Sequence, residues 1–387
     1  MVRPQEVALS LSLMNWRGAG EGFLLMAVFM KPCVLCVSFT ALCLLLATAL
    51  PYSAFAQVQS APQLKETVIS ASRTPTRTDE LVSDVTVVTR IEIEKYVSRT
   101  LPELLSRVAG VQFSANGGLG KSSSISIRGS EARHTILLID GVRYGSATTG
   151  TPVWDNIPVD MIERIEILKG PASALYNSDA VGGVVQVFMR KGQAGFKSYA
   201  AVTLGSESHA QLATGLTGGT GDVSYSLGVQ KIREAGFSAT NSKAGVGIFN
   251  PDRDGFEQNS FSGSIAYQIN PSLKMDAGLV YADSVNRSDD GLYRDTRYSG
   301  MTNVAHLGVE ANVLPGWKTQ LRYNHSSDSN RAIAAAPANL PGLFKTTQDQ
   351  VSWQNDIDTP LGVALVGIEN LKQSVESTTR LPLPCVM

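Results

Sequence analysis

Few places in this 387-residue chain could do chemistry. Gly117-Gly118-Leu119-Gly120-Lys121-Ser122 imitates a phosphate-binding loop, but Ala115 stands at the first glycine position and Ser124 to Arg128 alternates as a strand. Without a helix N-terminus there is no cradle of free N–H groups, so nucleotide binding is not expected. His134, His209, His306 and His325 lie far apart, without ligand spacing, and no nucleophile elbow is present. Cys33, Cys36 and Cys43 share one apolar stretch and Cys385 lies near the end, which leaves neither a disulfide framework nor a cysteine metal site. Asp252-Arg253-Asp254-Gly255 remains. Its carboxylates suit a hard cation, and the same pattern also reads as a polar turn. No enzyme is expected.

The elements around these residues are those of an exported protein. Basic and acidic residues number 33 and 34, a balance that argues against a nucleic-acid partner. Cys33 to Leu50 is an uncharged run, preceded by Met30-Lys31 and followed by Ala54-Phe55-Ala56. Short basic flank and small–x–small ending together fit a signal peptide cleaved after Ala56, rather than a retained anchor. Residues 1–56 are therefore the expected targeting segment. Residues 57–78 are polar and aperiodic, with Pro62 and Pro75, and read as a flexible arm. Inside the arm, Glu66-Thr67-Val68-Ile69-Ser70-Ala71 is β-prone with no partner nearby, which suits either a peptide that adds to another protein's sheet edge or an ordinary linker.

A small α+β domain follows over 79–192. Val85, Val87 and Thr89 alternate, and Thr89-Arg90-Ile91-Glu92 and Thr100-Leu101-Pro102-Glu103 both fit the capping box, so two helices are expected. Ser124 to Arg128, Thr135 to Ile139 and Arg164 to Lys169 are strand candidates. Asp140-Gly141, Gly170-Pro171, Gly182 and Gly183 supply tight turns and close backbone approach.

These residues carry a resemblance. Arg128-Gly129, Asp140-Gly141, Glu163-Arg164 through Lys169-Gly170-Pro171, and Gly182-Gly183 stand in an order that resembles the plug domain of TonB-dependent outer-membrane receptors. The resemblance covers roughly 66–190. It implies that Glu66 to Ala71 is a TonB box, that Arg128, Glu163, Arg164, Glu166 and Lys169 face a water-lined barrel lumen, and that the chain works without catalytic residues. Asn177 stands where the family usually has glycine, and Gln186 where it often has asparagine.

The second half changes period. Nine candidate strands follow, with Trp317-Lys318-Thr319-Gln320-Leu321-Arg322-Tyr323-Asn324 the clearest: apolar side chains at odd positions, cationic or amide ones at even. That alternation is the signature of a transmembrane β-barrel. Connectors at 232–259, 282–304 and 324–350 are long, and those at the other ends short, as in outer-membrane barrels. The expected fold is an α+β plug domain followed by an incomplete antiparallel transmembrane β-barrel over 193–379, with about nine of the roughly 22 strands of plugged transporters. Residues 380–387, with two prolines, make a non-barrel tail, and an interruption near Thr379 is the expected cause.

The wording of the plug and of Gly367 to Gln373 looks most like cobalamin receptors. The resemblance implies a bulky ligand, cobalamin or another corrinoid, with a ferric siderophore as the alternative. It implies TonB and outer-membrane lipid as partners and an outer-membrane location. It also implies calcium on an acidic loop pair, here Asp252 and Asp254 with Asp290 and Asp295, although Ser238 replaces a carboxylate expected nearby; no other cofactor is required. A reading from another class is a periplasmic TonB-binding plug fragment that transports nothing.

Overall fold

The computed structural model describes residues 67–68, 76–77, 83–96, 98–171, 176, 179–245, 249–289, 295–334 and 342–378. The targeting segment, Asn177, Asp290 and the tail from 379 lie outside the described residues.

In the arm, β1 (Thr67–Val68) pairs antiparallel with β2 (Thr76–Arg77), Thr67 opposite Arg77 and Val68 opposite Thr76. The centre of the candidate TonB box therefore has a partner within its own chain, which corrects the expectation of an unpartnered segment. Thr76 and Arg77 follow directly on Pro75. Glu66, Ile69, Ser70 and Ala71 lie outside the described residues.

The compact domain comprises β3 (Asp84–Val88), α1 (Arg90–Tyr96), α2 (Leu101–Leu105), β4 (Val111–Ala115), β5 (Ser123–Ile127), β6 (Thr135–Ile139), β7 (Val142–Arg143), β8 (Ile162–Lys169) and β9 (Gly183–Met189). Five strands form one sheet in the order β3-β8-β9-β6-β7, with β6 and β9 parallel, and β4–β5 is a separate hairpin. Every residue of β6 and β9 is buried, which explains why β6 shows no alternation. Leu101, Leu104 and Leu105 of α2 join Ile125, Ile127, Ile165, Ile167, Val185 and Val187 in the core.

Both capping boxes form. Glu92 N donates to Thr89 Oγ1 and Thr89 N to Glu92 Oε2 at 2.8 Å. In the second, Glu103 N donates to Thr100 Oγ1 at 3.2 Å, while the Glu103 carboxylate reaches one residue further, to Arg99 N at 3.0 Å.

The rest is a nine-stranded antiparallel sheet in sequence order, here called the wall: β10 (Gly195–Leu204), β11 (Ala210–Thr220), β12 (Val223–Glu234), β13 (Phe256–Asn270), β14 (Leu273–Asp289), β15 (Asp295–Leu314), β16 (Trp317–Ala334), β17 (Leu343–Thr359) and β18 (Gly362–Ser377). The short ends lie where the sequence puts them, and so does the first long connector, now 235–255, but the other two do not. The 282–304 stretch is mostly ladder, with β14 running to Asp289 and Asp289 opposite Asp295; the 324–350 stretch likewise carries β16 to Ala334 and resumes at Leu343. The reason is physical. Apolar alternation lasts only where one face meets hydrocarbon, whereas the hydrogen-bonded ladder continues as His325, Ser327 and Ser329 replace Leu321 and Tyr323 on the outer face.

Of the wall's two faces, one exposes Leu212, Leu227, Ile265, Leu279, Leu307, Leu321, Val351 and Trp353. The other packs on the compact domain. Among the described residues no helix is long and apolar enough to cross a membrane, a test that does not bear on strands.

Candidate functional site between the compact domain and the wall

The loop β6–β7 turns on Asp140 and Gly141, both at positive φ (48° and 83°), as a two-residue hairpin requires. This turn faces the wall: Arg322 donates to the Asp140 carbonyl at 3.1 Å. The Asp140 carboxylate is turned inward, accepting from Met189 N at 3.2 Å with Lys191 at 3.7 Å.

Past β7 the chain runs along the wall, touching one strand after another. Ser326 donates to Arg143 O, Gln348 to Gly145 O, and Ala147 N to Thr346 Oγ1, at 2.8 to 3.1 Å. Tyr144, wholly buried, sets its hydroxyl 2.7 Å from Thr302 Oγ1 and donates to Asp328 at 3.3 Å. Burial raises the Tyr144 hydroxyl well above its ordinary pKa. Further on, Gln258 donates to Asn156 O at 2.9 Å, and Gln211 to Asp160. Asp155 is half-buried beside Ser123, and desolvation pushes its carboxyl up to about 7 against the hydrogen bonds from Ser123; the charge of Asp328 adds to the rise. A cleft of about 340 Å³ opens between the domain and β17–β18, lined by Arg143, Asp179, Gln348 and Gln373.

Most wall groups in these contacts are neutral amides and hydroxyls. Each such bond contributes only about 0.5–1.5 kcal/mol net, because water replaces it on release. The interface is thus held by many weak, separable bonds.

The hairpin β4–β5 makes the other junction. Its tip, 116–122, lies at the same end of the wall as the 235–255 connector. Leu119 packs with Ile232 and Phe256, Asn286 donates to Gly120 O at 2.9 Å, and Lys121 Nζ donates to Arg287 O. Gly120 sits at φ 72°, and a Cβ there would lie 2.3 Å from the Phe256 ring. Strain and lack of space both demand glycine.

The sequence-predicted motif residues fall mostly inside the domain. Arg128 (φ 54°) and Gly129 (φ 76°) turn the chain after β5; Arg128 N donates to Gly110 O, and its guanidinium pairs with Asp84, which Lys169 also approaches at 3.9 Å. Arg164 binds the wholly buried Glu166 at 3.0 Å and stacks on Phe188. Glu163 sits at a bulge in the β8–β9 pairing. These contacts tie the domain's own sheet together. Gly170 N donates to Gly182 O, Gly182 N to His134 O, and a Cβ on Gly183 would meet Leu168 O at 2.3 Å; Pro171 follows Gly170 at the end of β8.

The acidic loop is partly assembled. Asp254 Oδ2 accepts from Ala239 N at 2.8 Å, and Asp289, at the head of β14, accepts from Ser238 and Thr240. Burial raises the Asp254 carboxyl, and the charge of Asp289 adds to that, against Ala239 and Lys121. Asp252 lies in the same loop; the Asp295 side chain and Asp290 are outside the described residues. Among the described residues no group of three or more His, Cys, Asp and Glu is arranged to hold a metal. Lys121 Nζ lies 3.4 Å from Asp254 Oδ1, so among the described residues a protein cation already stands beside that carboxylate, where a metal would approach. Sequence reasoning missed Asp289, Tyr144, Asp155 and Thr302. An inward polar residue on an alternating strand carries no signal of its partner.

Residues 77–184 match the family model described as TonB-dependent Receptor Plug Domain. The chain is 31% identical to the vitamin B12 transporter BtuB of Photobacterium profundum, over 90% of this chain and 55% of that protein, and 28% identical to the BtuB of Vibrio cholerae, over 75% and 50%. It spans about half the length of these relatives. In fold it is similar to a variant of the ferric enterobactin receptor PfeA of Pseudomonas aeruginosa, with a TM-score of 0.64, 18% identity, and coverage of 80% and 51%. The compact domain is a plug domain, and the nine-stranded antiparallel wall packed on it is similar in fold to the barrel strands of such receptors.

Proposed function

We propose that this chain is the plug and first strands of an outer-membrane receptor that takes up a corrinoid under the drive of TonB. The observation that carries the reading is the 31% identity to a vitamin B12 transporter along 90% of the chain, spanning plug and wall alike. Two features support it: the wall's apolar outer face suits lipid, and its inner face meets the plug through weak neutral bonds.

The arm supplies the handle. Thr67 and Val68 already lie in a ladder two residues long, marginal in water, so a longer strand offered by TonB competes with it readily. Pulling on the arm then displaces the plug against the wall, breaking bonds such as Gln348 to Gly145 in turn. The ligand meets the plug at its two tips, 116–122 and 145–151. No step is routed through calcium.

Binding tests the reading. The purified chain in detergent micelles is titrated with cyanocobalamin and, separately, with ferric enterobactin; saturable binding of the first alone supports it. Binding of the ferric chelate alone shifts the substrate to siderophores. Recovery from cells in the soluble periplasm, with TonB captured through Glu66 to Ala71, favours the non-transporting fragment.

A further inference from the structure

We infer that Lys121 of the plug is the resident cation of the acidic loop, holding by charge what a metal would hold in its place. The Lys121 and Asp254 side chains are 8% and 1% exposed, with Nζ 3.4 Å from Oδ1. The ammonium also donates to the Arg287 carbonyl, at the end of β14 that carries Asp289. Asp289 in turn accepts from Ser238 and Thr240, and Ser238 donates to Asn250 O at 3.0 Å. One plug side chain thereby fixes both stems of the 235–255 loop and the head of β14.

A buried carboxylate is tolerated only when paired, and removing one partner is far costlier than removing both. The packing around the ammonium makes the pairing specific. Lys121 Cγ lies where a Cβ on Gly117 would come within 3.0 Å, and Gly118 and Gly120 lie against Phe237 and Phe256, so the glycines of 117–120 bring the hairpin tip close enough for the lysine to reach. This gives the phosphate-loop-like stretch a role that involves no phosphate. Because Lys121 moves with the plug, displacing the plug withdraws the counter-charge, and the loop loosens in the same event. The inference concerns loop and plug alone and stands whichever ligand the receptor takes.

Amide hydrogen exchange over 236–255 tests it on the whole chain in detergent micelles. In the parent, protection is the same in excess EGTA and in excess calcium. In Lys121→Met, exchange at Ala239 and its neighbours rises about a hundredfold or more, the scale expected when a buried pair loses one member. Adding Asp254→Asn to that variant recovers much of the protection, and Lys121→Arg alone keeps most of it. Exchange in β8 and β9 checks that the variants fold. Protection in the parent that falls with EGTA or rises with calcium overturns the inference, as does a Lys121→Met variant that exchanges like the parent. The chelator comparison needs no variant and decides by itself if the substitutions disturb folding.

Discussion

Tyr144 of the plug and Thr302 of β15 share a hydrogen bond of 2.7 Å, with both residues buried. Deleting one hydroxyl leaves the other unsatisfied in the interior, which costs about 1–3 kcal/mol. Tyr144→Phe is expected to lower the stability of the plug–wall unit by that amount, read from denaturant midpoints in detergent. Tyr144→Phe with Thr302→Val should recover part of it. Equal, additive losses would show that the two hydroxyls do not interact.

Two glycines at positive φ separate strain from crowding. Gly129→Ala meets nothing within 4 Å and pays only for its backbone, about 1–2 kcal/mol. Gly120→Ala has the same backbone problem and also drives a methyl into Phe256. It is expected to cost at least about 2 kcal/mol more, the upper range for overpacking, and to raise amide exchange in 116–122. Similar midpoints for the two variants would count against the tight seating of the hairpin tip.

Burial raises the Asp155 carboxyl to about 7 from its ordinary 3.8. The folded chain therefore holds a proton between about pH 4 and 7 that the unfolded chain releases, and this contribution to stability is full below pH 4 and is lost as pH rises towards 7. Denaturant midpoints should fall across that window. In Asp155→Asn that part of the slope disappears, and an unchanged slope would assign it to other groups.

The outer face carries a depth prediction. Leu321→Arg places a cation in the apolar band of β16 and should cost about 2–4 kcal/mol of stability in bilayers, whereas Ser327→Arg, beyond the band on the same face, should cost about 0–1. Urea titration of the chain folded into vesicles measures both. Comparable losses would mean that hydrocarbon reaches Ser327.

Much of this molecule was legible in its sequence, for different physical reasons in each half. The plug's helices showed because Thr89 with Glu92 and Thr100 with Glu103 are local pairs whose partners lie three residues apart. The wall's nine strands showed because lipid imposes alternation on positions such as Leu321 and Tyr323. Their upper halves did not, since Ser327 and Thr347 face each other across β16 and β17 where neither face requires an apolar side chain. The partner of Lys121 lies 133 positions along the chain (254 − 121), in a loop ordered only by the folded whole. Nothing near Lys121 signals that carboxylate, and the glycines around it point by type to a phosphate instead.

The length of β16 beyond its lipid-facing band has a last consequence. From Tyr323 to Ala334 the ladder climbs eleven more residues (334 − 323), about 35 Å along the strand. That height makes a stiff parapet above the apolar band, a rim whose position does not depend on how thick the membrane is beneath it.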